Sequence, residues 1–373
     1  MTHLIIIVLA VAISAAVTRA RKAKAARATA WARTDFDAAA YGLVPRERLD
    51  PERAGPPPAP HQRKESQAVA DAAWAGNWRH AAEYVAAAGP DWDERWTRLE
   101  LLDAIADEDG AWLKAWRAAD PDNCDAAALE ANRMVHAAWE VRGSGYAHEV
   151  PEEAMNAFRA MLPAAIEAAK RASLLDPANP APWVVMVTAA RGARYQPAQF
   201  EELWSGLVQR APFHYAGHLQ GLQYWCAKWF GSDREMLAFA ERALDAAPAG
   251  SPLGGLYLHA LYELQLRDRL GTLTSEDTRR RLRQTAASLA LVRPDHRQLT
   301  ELRHLLAAYT GRAGLHDLAL EQFRAIGPYC GCHPWTDGDD PVAAFEQARG
   351  TAVHLSGAQP LPPELRPKAG LGG

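Results

Sequence analysis

The sequence predicts an all-α fold, built as an array of antiparallel helix pairs across residues 66–330. Three observations support this prediction. About a fifth of the 373 residues are alanine, the residue with the highest helix propensity. Apolar residues repeat with the helical period, and no segment sustains the period-two alternation of a strand. Prolines that cannot continue a helix recur at intervals of 31, 56, 35, 36, 46 and 34 residues, at Pro90, Pro121, Pro177, Pro212, Pro248, Pro294 and Pro328.

Composition and charge exclude several classes of protein. The chain is 49% hydrophobic and 23% charged, which excludes a wholly disordered, collagen-like or disulfide-stapled chain. Its formal net charge is −4, so no strongly basic domain of the kind that binds nucleic acid is expected. The charge is nevertheless unevenly distributed: a short segment near the N-terminus is basic, and the remainder of the chain has a net negative charge.

An apolar run at residues 4–17 predicts a membrane anchor. A spanning helix usually needs about 20 apolar residues, so the run reaches this length only with its flanking residues. A cleaved signal peptide would carry its positive charge before the run, whereas here the charge follows it. We interpret residues 1–18 as an uncleaved transmembrane anchor; a cleaved signal peptide and a buried core helix are the alternatives.

The segment after the anchor, residues 19–65, is interpreted as a basic collar and a proline-rich spacer. Six basic residues and no acidic one lie between Arg19 and Arg33. Because basic residues accumulate on the cytoplasmic side, they predict a single-pass protein of the cell membrane whose body faces the cytoplasm. The collar is also suited to anionic lipid head groups. The prolines that follow predict a semi-rigid, extended spacer.

Two of the helical units resemble tetratricopeptide repeats. Tyr309, Gly314, Ala319 and Phe323 match the first-helix tyrosine, the inter-helix glycine, and the alanine and aromatic residue of the second helix. Gly76 and Ala81 repeat the step from glycine to alanine. Four of the six proline intervals also lie near the 34-residue period of this repeat. The resemblance implies a helical solenoid, with spacings that differ from the standard repeat.

Another resemblance covers roughly residues 71–247. Residues 138–146, residues 175–183 and the segment from Lys228 to Phe239 are similar to the uncharacterised bacterial family catalogued as domain of unknown function 4034. This resemblance implies a helical, repeat-like fold and assigns no activity or catalytic residue.

Tryptophans occur four residues apart at four places, and this spacing would put both indoles on one helix face. One interpretation is that the rings fill gaps between alanine-rich helices. The other is that they line a groove that binds a peptide on the concave face of the array. The four pairs are Trp74 with Trp78, Trp92 with Trp96, Trp112 with Trp116, and Trp225 with Trp229.

Three histidine-containing pairs suggest an alternative chemistry. His214 and His218 have the i, i+4 spacing that allows two imidazoles to share a metal ion. The same spacing relates His259 to Glu263 and His136 to Glu140. A metal-dependent hydrolase that uses this His/Glu cluster is therefore the alternative function. A polar lining of the inner helix face is the favoured interpretation, because the chain has no His-Glu-x-x-His motif.

Two further segments contain weaker signals. Gly143 and Gly145 lie in a turn that resembles a phosphate-binding loop, but the residues around it do not form a P-loop motif. Cys330 and Cys332 resemble half of a metal or redox site without a second pair. The sequence also lacks a nucleophile elbow, a Rossmann fingerprint and kinase motifs. Residues 331–373 are expected to be a mostly disordered tail.

The sequence therefore predicts a membrane-tethered, non-catalytic scaffold that binds an unidentified protein or peptide and carries no cofactor. A secreted or cell-surface helical protein is a third possibility. The candidate partner-binding residues are the aromatic, charged and histidine side chains of the central helices, namely Trp139, Glu140, Arg142, Tyr146, His214, His218, Trp225, Trp229 and His259.

Overall fold

The computed structural model describes residues 36–143 and 149–366 of the chain. Within these residues the protein is all-α, as predicted: it forms 15 α-helices and no β-strand, and 69% of the described residues lie in α- or 3-10 helices. The helices are α1 Pro60–Trp74, α2 Trp78–Ala86, α3 Trp92–Glu108, α4 Ala111–Ala119, α5 Cys124–Arg142, α6 Glu152–Leu175, α7 Ala181–Gly192, α8 Pro197–Arg210, α9 Tyr215–Tyr224, α10 Asp233–Ala246, α11 Leu256–Leu266, α12 Glu276–Leu289, α13 Leu299–Arg312, α14 His316–Ile326 and α15 Pro341–Leu355. Short 3-10 helices cover Ala38–Tyr41, Arg46–Arg48, Pro252–Gly255, Trp335–Asp337 and Pro363–Leu365.

Each of the seven prolines that predicted a helix end follows an even-numbered helix, from Pro90 after α2 to Pro328 after α14. The prolines therefore separate successive helix pairs. The 56-residue interval before Pro177 is long because α5 and α6 have 19 and 24 residues. The 46-residue interval before Pro294 contains the 3-10 helix Pro252–Gly255 in addition to α11 and α12.

Contacts divide the chain into two compact units, whereas the sequence predicted one helical domain over residues 66–330. The larger unit comprises residues 57–269 and 288–292, and the smaller unit includes residues 36–56, 270–287 and 293–366. In the larger unit the odd-numbered helices α1 to α11 contact one another in succession. Each even-numbered helix from α2 to α10 packs against the odd-numbered helix that precedes it.

Some of the predicted tryptophan pairs lie on one helix face, and others do not. Trp112 and Trp116 on α4 are both buried, and their rings lie 6.4 Å apart. They fill a gap between helices, because Trp78 of α2 stacks on Trp116 at 6.3 Å. The prediction that Trp74 and Trp78 share a helix face is wrong. Gly76, at a φ of +82°, ends one helix and allows the next to begin between them.

Gly206 of α8 lies directly against the indole of Trp183 on α7. A Cβ atom at Gly206 would lie 1.9 Å from Cζ3 of Trp183, which no rotation of the new methyl group can relieve. We expect Gly206→Ala to lower the free energy of unfolding by about 1–3 kcal/mol, the usual cost of overpacking a core. Urea unfolding followed by far-UV circular dichroism measures this change.

Gly311→Ala on α13 is the matched control. The nearest side-chain atom to a Cβ at Gly311 is Cβ of Ala319, at 3.8 Å, so a methyl group fits without displacement. This substitution should leave stability unchanged or raise it by up to about 1 kcal/mol through helix propensity. Equal stabilities for the two variants would contradict the close packing at Gly206.

Residues 36–56 of the smaller unit differ from the extended spacer that the sequence predicted. Leu43 is 2% exposed, and Nη1 of Arg349 donates a hydrogen bond to the carbonyl of Val44. Nε2 of His304 lies 2.7 Å from the carbonyl oxygen of Ala54. The spacer also ends earlier than predicted, because Pro60 begins α1, a position where proline is accepted since its missing N–H would be unpaired anyway. Apolar side chains and backbone carbonyls thus fix this segment to α13 and α15.

Residues 331–366 likewise differ from the mostly disordered tail that the sequence predicted. Trp335 and Phe345 are buried, and Nε1 of Trp335 donates a hydrogen bond of 2.9 Å to Nδ1 of His304. α15 packs against α13 and α14. Two aromatic side chains and an apolar helix face supply enough burial to order this segment.

The predicted anchor, residues 1–18, and the collar up to residue 35 lie outside the described residues. Among the residues that the structure does describe, no helix is long and apolar enough to cross a bilayer.

Candidate functional site

Arg191 is the only charged residue of α7, a helix that is mostly apolar and largely buried. The helix is buried because α5, α6, α8 and α9 all contact it. Gly192 allows α6 to approach closely, since a Cβ there would lie 2.5 Å from Cζ of Phe158. The packing of α7 therefore holds a cationic side chain at its C-terminal end.

Two indoles flank the guanidinium group of Arg191. Its Cζ atom lies 4.8 Å from the ring centroid of Trp139, on α5, and 5.8 Å from that of Trp229, in the segment after α9. The two indoles contact each other edge to face, with centroids 5.8 Å apart. Arginine is attracted to the faces of such rings. Nη1 of Arg191 also donates to Oε1 of Gln220, on α9. We call Trp139, Arg191, Gln220 and Trp229 the Arg191 cluster.

Two N–H groups of the Arg191 cluster are buried without an acceptor. Nε of Arg191 and Nε1 of Trp139 have no hydrogen-bond partner among the described residues. Both groups are donors only, so another donor cannot satisfy them. A buried, unpaired donor costs about 1–3 kcal/mol. A ligand that brings acceptor atoms to these two donors would therefore be stabilised by the cluster.

The charges around the Arg191 cluster are predominantly positive. Arg142 lies 5.5 Å from the ring centroid of Trp139. Glu263 of α11 is held by Lys228, whose Nζ lies 2.9 Å from each of its carboxylate oxygens, and it also accepts from Gln223. Burial lowers the pKa of Arg191 to about 10, with Glu263 opposing this shift and Arg142 adding to it. Arg191 thus remains a cation at neutral pH.

The segment after α9 positions Trp229. The helix ends at Tyr224, and the chain then turns so that the amide of Trp229 donates to the carbonyl of Cys226 at 2.9 Å. Gly231 allows this turn to close, because a Cβ there would lie 2.0 Å from the carbonyl oxygen of Trp225. Trp225 and Trp229 therefore do not share a helix face, and that prediction is wrong. Trp225 instead packs edge to face against Phe200 and Tyr224.

The structure brings together Trp139, Arg142 and Trp229 among the predicted site residues. Glu140 lies outside this group, and its charge instead acts on His136, one turn earlier on α5. Tyr146 lies outside the described residues, as do the residues of the predicted phosphate-binding turn after Gly143.

The predicted histidines occupy separate environments. His214 caps the N-terminus of α9, where its Nδ1 accepts a 3.2 Å hydrogen bond from the amide of Gly217. His218 packs its ring against Trp204, while Nδ1 lies 2.9 Å from the carbonyl oxygen of His214. Nε2 of His259 lies 2.8 Å from the hydroxyl of Tyr215.

The other two predicted pairs are likewise divided between different partners. Glu263 pairs with Lys228, and His136 pairs with Asp103 of α3, with 2.5 Å between Nδ1 and the carboxylate. That hydrogen bond raises the pKa of His136, against the effect of burial. In the described part of the chain, no three His, Cys, Asp or Glu residues are placed to hold a metal ion, and this includes the segment with Cys330 and Cys332.

Sequence reasoning missed Arg191 and Gln220 and did not assign Lys228 a role. A signal for Arg191 was present, since it is a single charge at the end of an apolar run that begins at Ala181. Such a charge must reach solvent or a partner, because an isolated buried cation is very costly. Gln220 and Lys228 have no comparable signal, because their roles depend on which helices become neighbours.

Comparisons with known proteins yield no match to a family model, to a curated protein or to a solved structure. The resemblances to tetratricopeptide repeats and to the uncharacterised bacterial family therefore stay predictions.

Proposed function

We propose that this protein is a membrane-tethered scaffold of the tetratricopeptide-like kind, which binds a segment of a partner protein without catalysing a reaction. The observation that carries the proposal is the Arg191 cluster. It presents two partly exposed indoles and a cation, and the N–H groups at Nε of Arg191 and Nε1 of Trp139 lack acceptors. Aromatic and arginine side chains of this kind dominate the binding energy of protein interfaces.

The position of the cluster supports a peptide as the ligand. Its side chains come from α5, α7, α9 and the segment that follows α9, and these odd-numbered helices contact one another in succession. An extended segment that crosses them would meet Trp139, Arg191 and Trp229 in turn. Peptide carbonyl groups would supply acceptors, and the indoles would supply apolar contact area.

The repeat-like character of the helix pairs supports the same proposal. Gly76 and Gly314, the matches to the inter-helix glycine, both adopt a positive φ between two helices, at +82° and +77°. Ala81 and Ala319, the matches to the second-helix alanine, are fully buried. Small buried alanines allow two helices to pack closely, and stacked helix pairs create extended binding surfaces.

The chemistry of the cluster favours binding over catalysis. Tryptophan, arginine and glutamine do not exchange protons near neutral pH, so the cluster can orient and hold a ligand but supplies no general acid or base. The predicted anchor and collar would keep the body at the cytoplasmic membrane face, where tethering raises the effective concentration of a membrane-associated partner.

Selection from a random peptide display library on the immobilised full chain tests this proposal. We expect enriched peptides whose affinity falls about tenfold or more in Trp229→Ala, because large interface aromatics cost about 2 kcal/mol or more when truncated. Trp74→Ala is the control: this indole is 41% exposed, lies on α1 and should not affect binding. A failure to enrich any peptide, or equal losses in both variants, would refute the proposal.

A further inference from the structure

Arg191 lacks a carboxylate partner, in contrast to two other partly buried arginines of the larger unit. Arg95 has Asp125 as its ion-pair partner, and Arg98 has Glu94. No carboxylate of the described residues lies within ion-pair distance of Arg191, although the guanidinium is largely enclosed by Trp139 and Trp229. Glu263, the carboxylate whose charge acts on Arg191, forms its ion pair with Lys228 instead.

The unpaired donors indicate what the site can bind. Nε of Arg191 and Nε1 of Trp139 belong to side chains in direct contact, and each requires an acceptor. Charged acceptors form the strongest hydrogen bonds to such groups, and a planar guanidinium matches a carboxylate in particular. The site therefore has the charge and the donors to bind an anion.

The surroundings favour a single negative charge over a phosphate dianion. Arg191 lies in the last turn of α7, where the helix dipole is negative, and not at a helix N-terminus of the kind that binds phosphate. Glu263 adds a further negative charge nearby. The helix dipole and Glu263 both repel a monoanionic carboxylate less strongly than they repel a phosphate dianion.

We propose that the Arg191 cluster binds the carboxylate of an Asp or Glu side chain in the partner segment, an inference that rests on the proposed function. The Nε atom of Arg191 is fully buried, so the backbone of an extended ligand runs outside the two indoles. Because the two indoles contact each other, the acidic side chain reaches this atom when they move apart. The partner class is thus an extended acidic peptide.

Three random hexapeptide libraries, each incubated with the full chain, test this inference. The first has an amidated C-terminus and includes Asp and Glu, the second is amidated and lacks both, and the third lacks both but keeps a free C-terminal carboxylate. We expect binding from the first library only. The affinity of the selected peptides should fall about tenfold or more in Arg191→Met, the usual loss for a hydrogen bond to a charged group.

Arg79→Met is the matched control, because Arg79 also lies over an indole, 4.7 Å from the ring centroid of Trp78, but is exposed on α2. It should leave the affinity unchanged. Arg191→Lys keeps the charge and loses the planar fork, so its affinity should lie between that of Arg191→Met and that of the unaltered chain. If Arg191→Met fails to fold, as judged by circular dichroism, the salt dependence of binding to the unaltered chain replaces it, since a carboxylate–arginine contact weakens as ionic strength rises.

The outcomes separate this inference from the proposed function. Equal binding of the acid-free amidated library would overturn the carboxylate contact and leave peptide binding intact. Binding that requires the free C-terminus would overturn the side-chain assignment. An absence of binding in all three libraries would overturn both.

Discussion

Lowering the pH from 7 to 4 is expected to reduce the free energy of unfolding by several kcal/mol. Three histidines, His214, His218 and His304, are at most 7% exposed in the folded protein. Burial lowers the pKa of each to about 4, against a value near 6.5 in the unfolded chain. Between these values the unfolded state binds protons that the folded state does not, so stability falls as the pH falls from 6.5 to 4 and levels below 4.

The contacts of these rings explain why protonation is unfavourable. His304 accepts from Nε1 of Trp335 through Nδ1 and faces the carbonyl of Ala54 through Nε2, so its neutral form satisfies both neighbours. His218 is packed between aromatic rings of Trp204 and Phe239. Protonation of His304 would place a second donor against the Trp335 N–H.

Each histidine should contribute on the order of 3 kcal/mol to the loss, from a pKa difference of about 2.5 units. His136 acts in the opposite direction: its pKa is raised by Asp103, so the stability it contributes is present at low pH and is lost as the pH rises through that pKa. Urea unfolding at pH 7, 6, 5 and 4.5, followed by far-UV circular dichroism, measures the net effect.

His214→Asn is the variant that isolates one of these groups. Asparagine is a preferred N-cap residue, so it can still accept from the amide of Gly217 while having no proton to gain. The variant should lose less stability than the unaltered chain over the same pH range. A flat stability between pH 7 and 4.5, or identical pH dependence in the variant, would contradict this account. Asp93, whose Oδ1 lies 3.8 Å from Nδ1 of His214, is left in place in both proteins.

Arg95→Met is expected to lower the free energy of unfolding by about 3–5 kcal/mol, the usual cost of leaving a buried ion-pair partner alone. Arg95 of α3 donates from both Nε and Nη2 to the carboxylate of Asp125 at the start of α5. Asp125 is 6% exposed and also accepts from the side-chain amide of Asn179, at 2.9 Å. Asn179 in turn accepts from the amide of Ala181, at the beginning of α7.

The substitution therefore affects three consecutive odd-numbered helices. Burial opposes ionisation of Arg95, but the hydrogen bond and charge of Asp125 overcome it and raise the Arg95 pKa. Without Arg95, the Asp125 carboxylate is left buried with Asn179 as its remaining side-chain donor. Thermal and urea unfolding measure the loss.

Lys170→Met provides the comparison, because Lys170 and Glu167 form an ion pair on α6 whose side chains are 48% and 59% exposed. Such exposed pairs contribute about 0–1 kcal/mol, so this variant should be nearly as stable as the unaltered chain. Similar losses in the two variants would show that the Arg95 network does not have the predicted role.

Several features of the fold were predictable because they depend on neighbours in sequence. Helical periodicity and alanine content predicted the all-α class, and the prolines predicted where pairs of helices end. The buried pair Trp112 and Trp116 followed from the same reasoning, since both residues lie on one helix face. Trp225 and Trp229 show the limit of this reasoning. Because α9 ends at Tyr224, these two residues do not lie on one helix, and their i, i+4 spacing does not place them on one face.

The candidate site was predictable only in part. Trp139, Arg142 and Trp229 were identified from their residue types, but Arg191 and Gln220 were not. Arg191 lies 52 residues after Trp139 and 38 before Trp229, and no local pattern specifies that these three side chains meet. The same holds for residues 36–56 and 331–366, whose burial depends on contacts with α13 to α15.

By itself the sequence determined the helical class and the succession of helix pairs. Those properties follow from backbone propensity and from side-chain spacing within one helix, which are local. Tertiary structure alone decided that Arg191 lies between two indoles, that its Nε–H lacks an acceptor, and that the histidine pairs contact separate partners. Contacts between helices distant in sequence set these features, because burial and charge pairing depend on which helix faces come together.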